Sequence, residues 1–427
     1  MRGEIVKKDY KLLFILFIIQ PIIDLITSLM TKYNYSAISV GALSRTLIMI
    51  TLFIYILQYI LVKKQNVIWL FICSFASIAA MFMTNFLLKE PFILYEELNF
   101  VLKTSYYLVI IFIVIILIDK PFLSQSFILR ASNVIALIIG ISYWMAVLSN
   151  TSINSYTYGE KGFSGWFYSA NELSVIVIIL LGLTITQLSF NKTISSWTSF
   201  LLILSMLPMI GTKTAFYGGL LILFIFTAYL LIKFNVQLLR DKSHLIFLGT
   251  IILFLCVTPF SPVFSNTEQL DSSIKREHRE IVESTTVQNS TLMTRLLSSR
   301  NIYLQVIKED FTQADGLRQT FGLGYAGDYT TDPKLIEMDF FDMFFSYGII
   351  GTLFLLIPLF YLFRKVIVFP IQIEKVILLF TLCLCFGIAF LAGHVIFAPS
   401  VMTYLAILFL AIGLLNYNQD VGEKYDS

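Results

Sequence analysis

The sequence predicts an all-α polytopic membrane protein of about twelve spans, with both termini in the cytoplasm. Three observations predict it. Charged residues are 13% and hydrophobic residues 57% of 427, with a mean hydropathy of +0.82, whereas soluble domains are about a quarter charged. Apolar runs of about 18 to 22 residues recur between short polar breaks, the length that crosses a bilayer. These runs are apolar all round rather than alternating, which excludes a transmembrane barrel. Lysine and arginine collect at every second break, which sets the orientation.

Taken in order, the spans fall at about 12–31, 42–62, 67–88, 99–118, 130–149, 172–190, 196–211, 214–233, 244–260, 341–363, 375–392 and 395–415. Lys7, Lys8 and Lys11 precede the first, which has no small-residue cleavage site after it and is expected to be a retained signal anchor. Lys63 and Lys64 follow the second span, Lys120 and Arg130 flank the fourth and fifth, and Lys192 follows the sixth. Lys233, Arg240 and Lys242 follow the eighth, and Arg364, Lys365 and Lys375 follow the tenth. Simple alternation puts all of these on the cytoplasmic side. The chain thus divides into a bundle (1–260), an external loop (261–340) expected to carry short amphipathic helices, and a second bundle part with a short tail (341–427). The net charge of +3 sits in juxtamembrane loops and carries no signal for nucleic acid. Cys73, Cys256, Cys383 and Cys385 lie in apolar runs, suggesting neither a disulfide nor a metal site.

The external segments carry the candidate chemistry. In the long loop the charged run KREHRE (275–280) precedes STLMTRLLSSRNIYLQVIKEDF, whose apolar positions form a helical stripe flanked by Arg295 and Arg300. Solvated arginines have the same pattern, and for Arg295 that is the preferred reading. The stretch GEKGFSGWFYSANE places Asn171 and Glu172 at a helix start, as caps or as part of an anion site. Trp166 and its aromatic neighbours suit an interfacial belt better than sugar stacking. Lys213, between spans seven and eight, is either a snorkelling residue of a tight hairpin or a cation facing a cavity. His394 follows Gly393 at a turn expected to be tight; such a residue is more often an interfacial cap than a catalyst. Glu337, Asp339 and Asp342 start span ten, where acids complement the helix dipole, although a carboxylate among phenylalanines is expensive. None of these candidates was used to set orientation, yet alternation places them all on one face.

In order and position these segments resemble the O-antigen ligase and Wzy-type polymerase superfamily. GFSGWFYSANELS resembles its glycine-aromatic-asparagine approach to a mid-chain span, and GTKTAFYGG its threonine-serine-arginine segment, with Lys213 in the arginine's place. SSRNIYLQVIKEDF followed by FGLGY is similar to the loop arginine and glycine pair, matching Arg300, Gly322 and Gly324. EMDFFDMFFSYGIIG resembles the loop exit, with Glu337 where a ligase has histidine. QPIIDLITS, with Pro21 and Asp24, looks like the Gram-positive branch.

The resemblance implies an integral-membrane glycosyltransferase of cell-surface polysaccharide biosynthesis, acting at the outer face of the bacterial cytoplasmic membrane. Its donor would be an undecaprenyl-diphosphate-linked oligosaccharide and its acceptor a glycan, with a flippase and a chain-length regulator as partners and neither cofactor nor metal. Arg300 would stabilise the leaving diphosphate, assisted by Lys213. Glu337 or Asp339 would be the general base and His394 the second choice. Arg295, Asn171, Glu172, Trp166, Gly322, Gly324 and Asp342 complete the expected substrate-binding set. Polymerisation of repeat units is preferred over ligase-type transfer because Glu337 replaces the ligase histidine. A polysaccharide flippase or other transporter competes, but no six-plus-six repeat is visible.

Overall fold

The computed structural model describes residues 2–32, 40–63, 67–118, 120, 123–156, 161–232, 242–266, 300–328, 334–367 and 373–422. Its helices are α1 (Arg2–Lys32), α2 (Val40–Lys63), α3 (Val67–Leu88), α4 (Leu94–Ile118) and α5 (Gln125–Leu148). After a short hairpin, β1 (Ile153–Asn154) and β2 (Phe163–Gly165), come α6 (Ala170–Phe190), α7 (Ile194–Met209), α8 (Lys213–Ile232) and α9 (Lys242–Val257). The loop contributes α10 (Arg300–Gln313) and α11 (Gly316–Phe321), followed by α12 (Asp339–Val366), α13 (Ile373–Leu391) and α14 (Pro399–Gly422). Eight of these, α2 to α6, α8, α12 and α13, are long and apolar enough to cross a membrane. Shorter apolar helices cover Ile194–Met209, Ile246–Phe260 and Pro399–Leu415.

The apolar runs become helices because a chain in hydrocarbon must satisfy its backbone groups within one segment. Where a terminus leaves N–H groups over, side chains accept them: Ser124 from Phe127, Ser169 from Glu172, and Thr193 from Ser196. The core is built on α6, buried nearly all round, and on α4 and the first part of α14. Small residues set the helix spacing: a Cβ at Gly182 or Gly218 would run into Thr381 or Ile178.

Several element boundaries differ from the sequence expectation, each for a local reason. α4 starts at Leu94, so Glu96 and Glu97 lie in its first turn rather than in the preceding loop. α14 starts only at Pro399, a residue suited to a helix's first position, and 392–398 is irregular rather than a tight turn. The glycine-aromatic segment forms the β1–β2 hairpin, with Asn154 paired to Phe163 and Ile153 to Gly165.

α12 contains the break on which the loop is built. Gly348 has φ +65° and ψ −168°, outside the helical region, so the first turns of α12 are separate from its long membrane part. The carbonyls this frees are taken by the loop: Leu323 N–H donates to Phe345 O (2.9 Å) and Gly324 N–H to Ser346 O (3.1 Å). Gly322, at φ +99°, lies flat on that break; a Cβ there would meet the Ser346 carbonyl. Beneath the docked loop Ile307, Leu323, Ile336, Met338 and Phe345 form a second, small apolar core.

Candidate active site

The break in α12 and the docking of α10 bring two cations and a histidine to one carboxylate. Arg300 Nη2 lies 3.3 Å from Glu337 Oε2, Lys334 Nζ 3.8 Å from Oε1, and His394 Nε2 3.7 Å from Oε2. The last is an ion-pair separation, longer than a hydrogen bond. Contact with His394, then the charges of Lys334 and Arg300, outweighs the cost of burial and holds the Glu337 carboxyl down at about 2. For His394 burial opposes the charged ring, but the contact with Glu337 prevails, so its pKa is raised above 6.5. The charges of Asp339 and Glu172 act in the same direction.

This cluster is not saturated. Arg300 Nε and His394 Nε2 are both buried without a hydrogen-bond partner. Glu337 and His394 both adopt left-handed backbone conformations, at φ +63° and +62°. Such conformations cost energy in a non-glycine residue and concentrate where the surroundings over-determine a site. Between them lies Gly393, whose missing side chain leaves room for the Glu337 carbonyl.

The two aspartates of α12 hold this geometry. Asp339 accepts backbone N–H groups from His394 (3.1 Å), Val395 (2.8 Å) and Ile396 (2.7 Å), tying the 394–396 segment to the start of α12. Asp342 accepts from Ile336 (2.8 Å) and Met338 (3.0 Å), fixing the residues on both sides of Glu337. Both are buried and their oxygens are committed to main chain, a poor position for a proton acceptor compared with Glu337 or His394.

A polar chamber lies alongside. Its volume is about 220 Å³, and α1, α2, the start of α6 and the start of α14 line it with Asp24, Arg45, Glu172 and Ser400. Asp24 is paired with Arg45 and also accepts from Gln20 (3.1 Å) and Tyr404 (3.3 Å). Ser400 donates to Glu172, and the Tyr168 N–H to Ser28 Oγ (2.9 Å). Arg45 Nε has no hydrogen-bond partner. Sequence reading named Asp24 without giving it a role and passed over Arg45, although an arginine inside an apolar run is itself a signal. It also passed over Lys334 and Ser400, which carry no motif of their own.

The remaining sequence candidates are placed as follows. Gly322 and Gly324 are buried at the loop joint; the Gly322 carbonyl accepts from Asn85 (3.1 Å). Lys213 is exposed at the start of α8, beside the Ile210–Thr212 turn, and makes no contact with the Arg300 cluster among the described residues. Asn171 is exposed; Trp166 is half-buried and donates to Thr151 (2.8 Å). Arg295 and the 275–280 run lie outside the described residues. Among the described residues no group of three or more His, Cys, Asp or Glu is placed to hold a metal ion.

A many-helix bundle with a docked polar loop, Arg300, Lys334 and His394 gathered on Glu337, and a second polar chamber lined by Asp24, Arg45, Glu172 and Ser400 defines a multi-pass membrane protein. The chain belongs to the family of O-antigen ligase like membrane proteins, whose pattern matches residues 7–418. That membership makes it a membrane protein of glycan-transfer type, with lipid-linked glycan and acceptor as the implied substrates. A search of curated proteins finds no match.

Proposed function

We propose that the chain polymerises undecaprenyl-diphosphate-linked oligosaccharide repeat units at the outer face of the bacterial cytoplasmic membrane. It does so through about twelve spans with both termini inside. The observation that carries this reading is the convergence of Arg300, Lys334 and His394 on Glu337, with polar atoms of Arg300 and His394 left unpartnered. An excess of cations in a partly desolvated site suits a leaving group on which negative charge accumulates.

In the reaction an acceptor hydroxyl oxygen forms a bond to the anomeric carbon of the donor sugar. The bond from that carbon to the diphosphate oxygen breaks, and the electron pair leaves with the lipid diphosphate. Arg300, a planar fork suited to two phosphate oxygens, holds it with Lys334 assisting. The hydroxyl proton passes to His394 in its neutral form, with Glu337 raising the basicity of the ring. Glu337 itself is too acidic to keep a proton near neutral pH. Asp339 and Asp342 position these groups. Lys213, Asn171 and Trp166 are assigned to the more distant part of a long glycan. A flippase would supply the donor and a chain-length regulator would limit the product.

Ligase-type transfer of a finished glycan is the second reading; the acidic residue at 337 favours polymerisation, because a carboxylate cannot take over a histidine's contact with phosphate. The test is deletion of the gene and complementation with Arg300→Ala, followed by sizing of lipid-linked and wall-linked glycans. The expected result is loss of polymer, with single lipid-linked repeats accumulating outside. Long chains retained on lipid would replace polymerase with ligase; accumulation on the cytoplasmic leaflet would refute glycan transfer.

A further inference from the structure

The two polar regions at this end of the bundle differ in charge. Around Glu337 two permanent cations and one histidine face its carboxylate, while Asp339, its oxygens taken up by main-chain N–H groups, adds its charge beside His394. In the chamber one guanidinium, Arg45, faces two carboxylates, Asp24 and Glu172. Arg45 is already paired with Asp24, which leaves the charge of Glu172 uncompensated within the chamber. Glu172 Oε2 receives the Ser400 hydroxyl, and Oε1 has no hydrogen-bond partner among the described residues. The remaining polar lining residues are Thr27, Ser28, Thr31, Ser169 and Tyr168, each with a hydroxyl. Such a site repels a diphosphate and has donors and acceptors in the mixture that a hydroxylated ring requires. The aromatic side chains of Phe167 and Tyr168 also line it.

We propose that this chamber is a saccharide subsite, and that Glu172 with the Asp24–Arg45 pair selects neutral or amine-bearing sugars against anionic ones. The assignment rests on the glycan-transfer reading and divides its substrate in two: phosphate on the Arg300 side, sugar ring on the Glu172 side. Segment 394–400, which runs from His394 to Ser400, joins the two. Glu172 is thus a specificity-determining residue, and Asp24, saturated by three donors, positions Arg45.

The test uses the full chain in lipid nanodiscs and a Thr31→Cys reporter at the chamber rim. Tyr168→Cys, an exposed lining residue from another segment, serves if the first variant fails to fold. Labelling by a water-soluble methanethiosulfonate is followed peptide by peptide against the parent chain and its four native cysteines. The probes are methyl glucoside, methyl glucosaminide, methyl glucuronide and inorganic pyrophosphate. A bound glycoside at twice its dissociation constant slows labelling about threefold. We expect this for the glucoside and glucosaminide, and no protection by the glucuronide or pyrophosphate. Glu172→Gln weakens glucosaminide protection about tenfold or more and admits the glucuronide. Pyrophosphate protecting as well as the glycosides, or no glycoside protecting either reporter, overturns the proposal. Protection is read without turnover, so it stands or falls separately from the effect of Arg300→Ala on polymer.

Discussion

Two ion pairs of this molecule hold or belong to the region between Arg300 and Glu337, yet they are built on opposite principles. Lys89 and Glu97 have completely buried side chains 2.6 Å apart. Lys89 also donates to Tyr325 O (2.8 Å), and Glu97 accepts from Tyr325 N–H (2.9 Å). Together they strap the glycine loop to α3 and α4. Arg300 and Glu337 are 14% and 33% exposed, with a longer contact, and buried polar atoms beside them lack partners. In the first pair polar groups are matched with polar groups and nothing is left over for a ligand. In the second, charge and hydrogen-bonding capacity remain. Burial of a salt bridge therefore marks the scaffold here, and its incompleteness marks the site.

The largest effect should come from breaking the closed pair. Lys89→Met leaves Glu97 as an uncompensated buried charge and should cost about 3–5 kcal/mol, visible as a lowered thermal midpoint of the purified protein. The opposite pattern is expected for the open pair. Arg300→Ala should lower glycan transfer about 10²–10³-fold with little change in that midpoint. If both variants lose stability equally, the distinction between the pairs is wrong.

Gly322→Ala sharpens the comparison from the backbone side. Its Cβ would meet the Ser346 carbonyl and its φ of +99° disfavours any side chain, so a loss of about 1–3 kcal/mol is expected. It should appear as proteolysis of the loop before global unfolding.

The pH dependence gives a smaller, signed effect. His394, with its pKa raised, adds stability that is complete below pH 6.5 and is lost as pH rises through its folded value. Glu337, lowered from 4.5, adds stability present above pH 4.5 and lost as pH falls through about 2. The pair is therefore strongest between these limits; with neutral His394 as the proposed base, transfer should instead fall on acidification through its raised pKa. Glu337→Gln should move this acidic limb of the pH–rate profile to lower pH. Lys213→Ala should have the smallest effect, within about twofold on transfer, because the side chain is exposed; a larger loss would bring it into the site.

Much of this organisation was legible in the sequence. Apolar length located the helices, since in hydrocarbon little besides helix length is open to choice. The order Arg300, Gly322, Gly324, Glu337 located the loop elements that dock together. Less legible were the ends of helices, where capping decides: Asp339 holds 394–396 outside any helix and delays α14 to Pro399. The chamber was least legible, because Asp24, Arg45, Glu172 and Ser400 come from four distant helices and share no spacing. Lys334 was missed because a single loop lysine looks like any solvated one until its partners are known.

The joint between the loop and broken α12 has one consequence for variation among such proteins. Its two hydrogen bonds, from Leu323 and Gly324 to Phe345 and Ser346, are made by main chain alone. No side chain takes part in them, so substitution at Ser346, for example, leaves the attachment chemically unchanged provided Gly322 and Gly348 persist. A chain built in this way is free to remodel its surface residues while the platform that carries Arg300 and Glu337 stays in register.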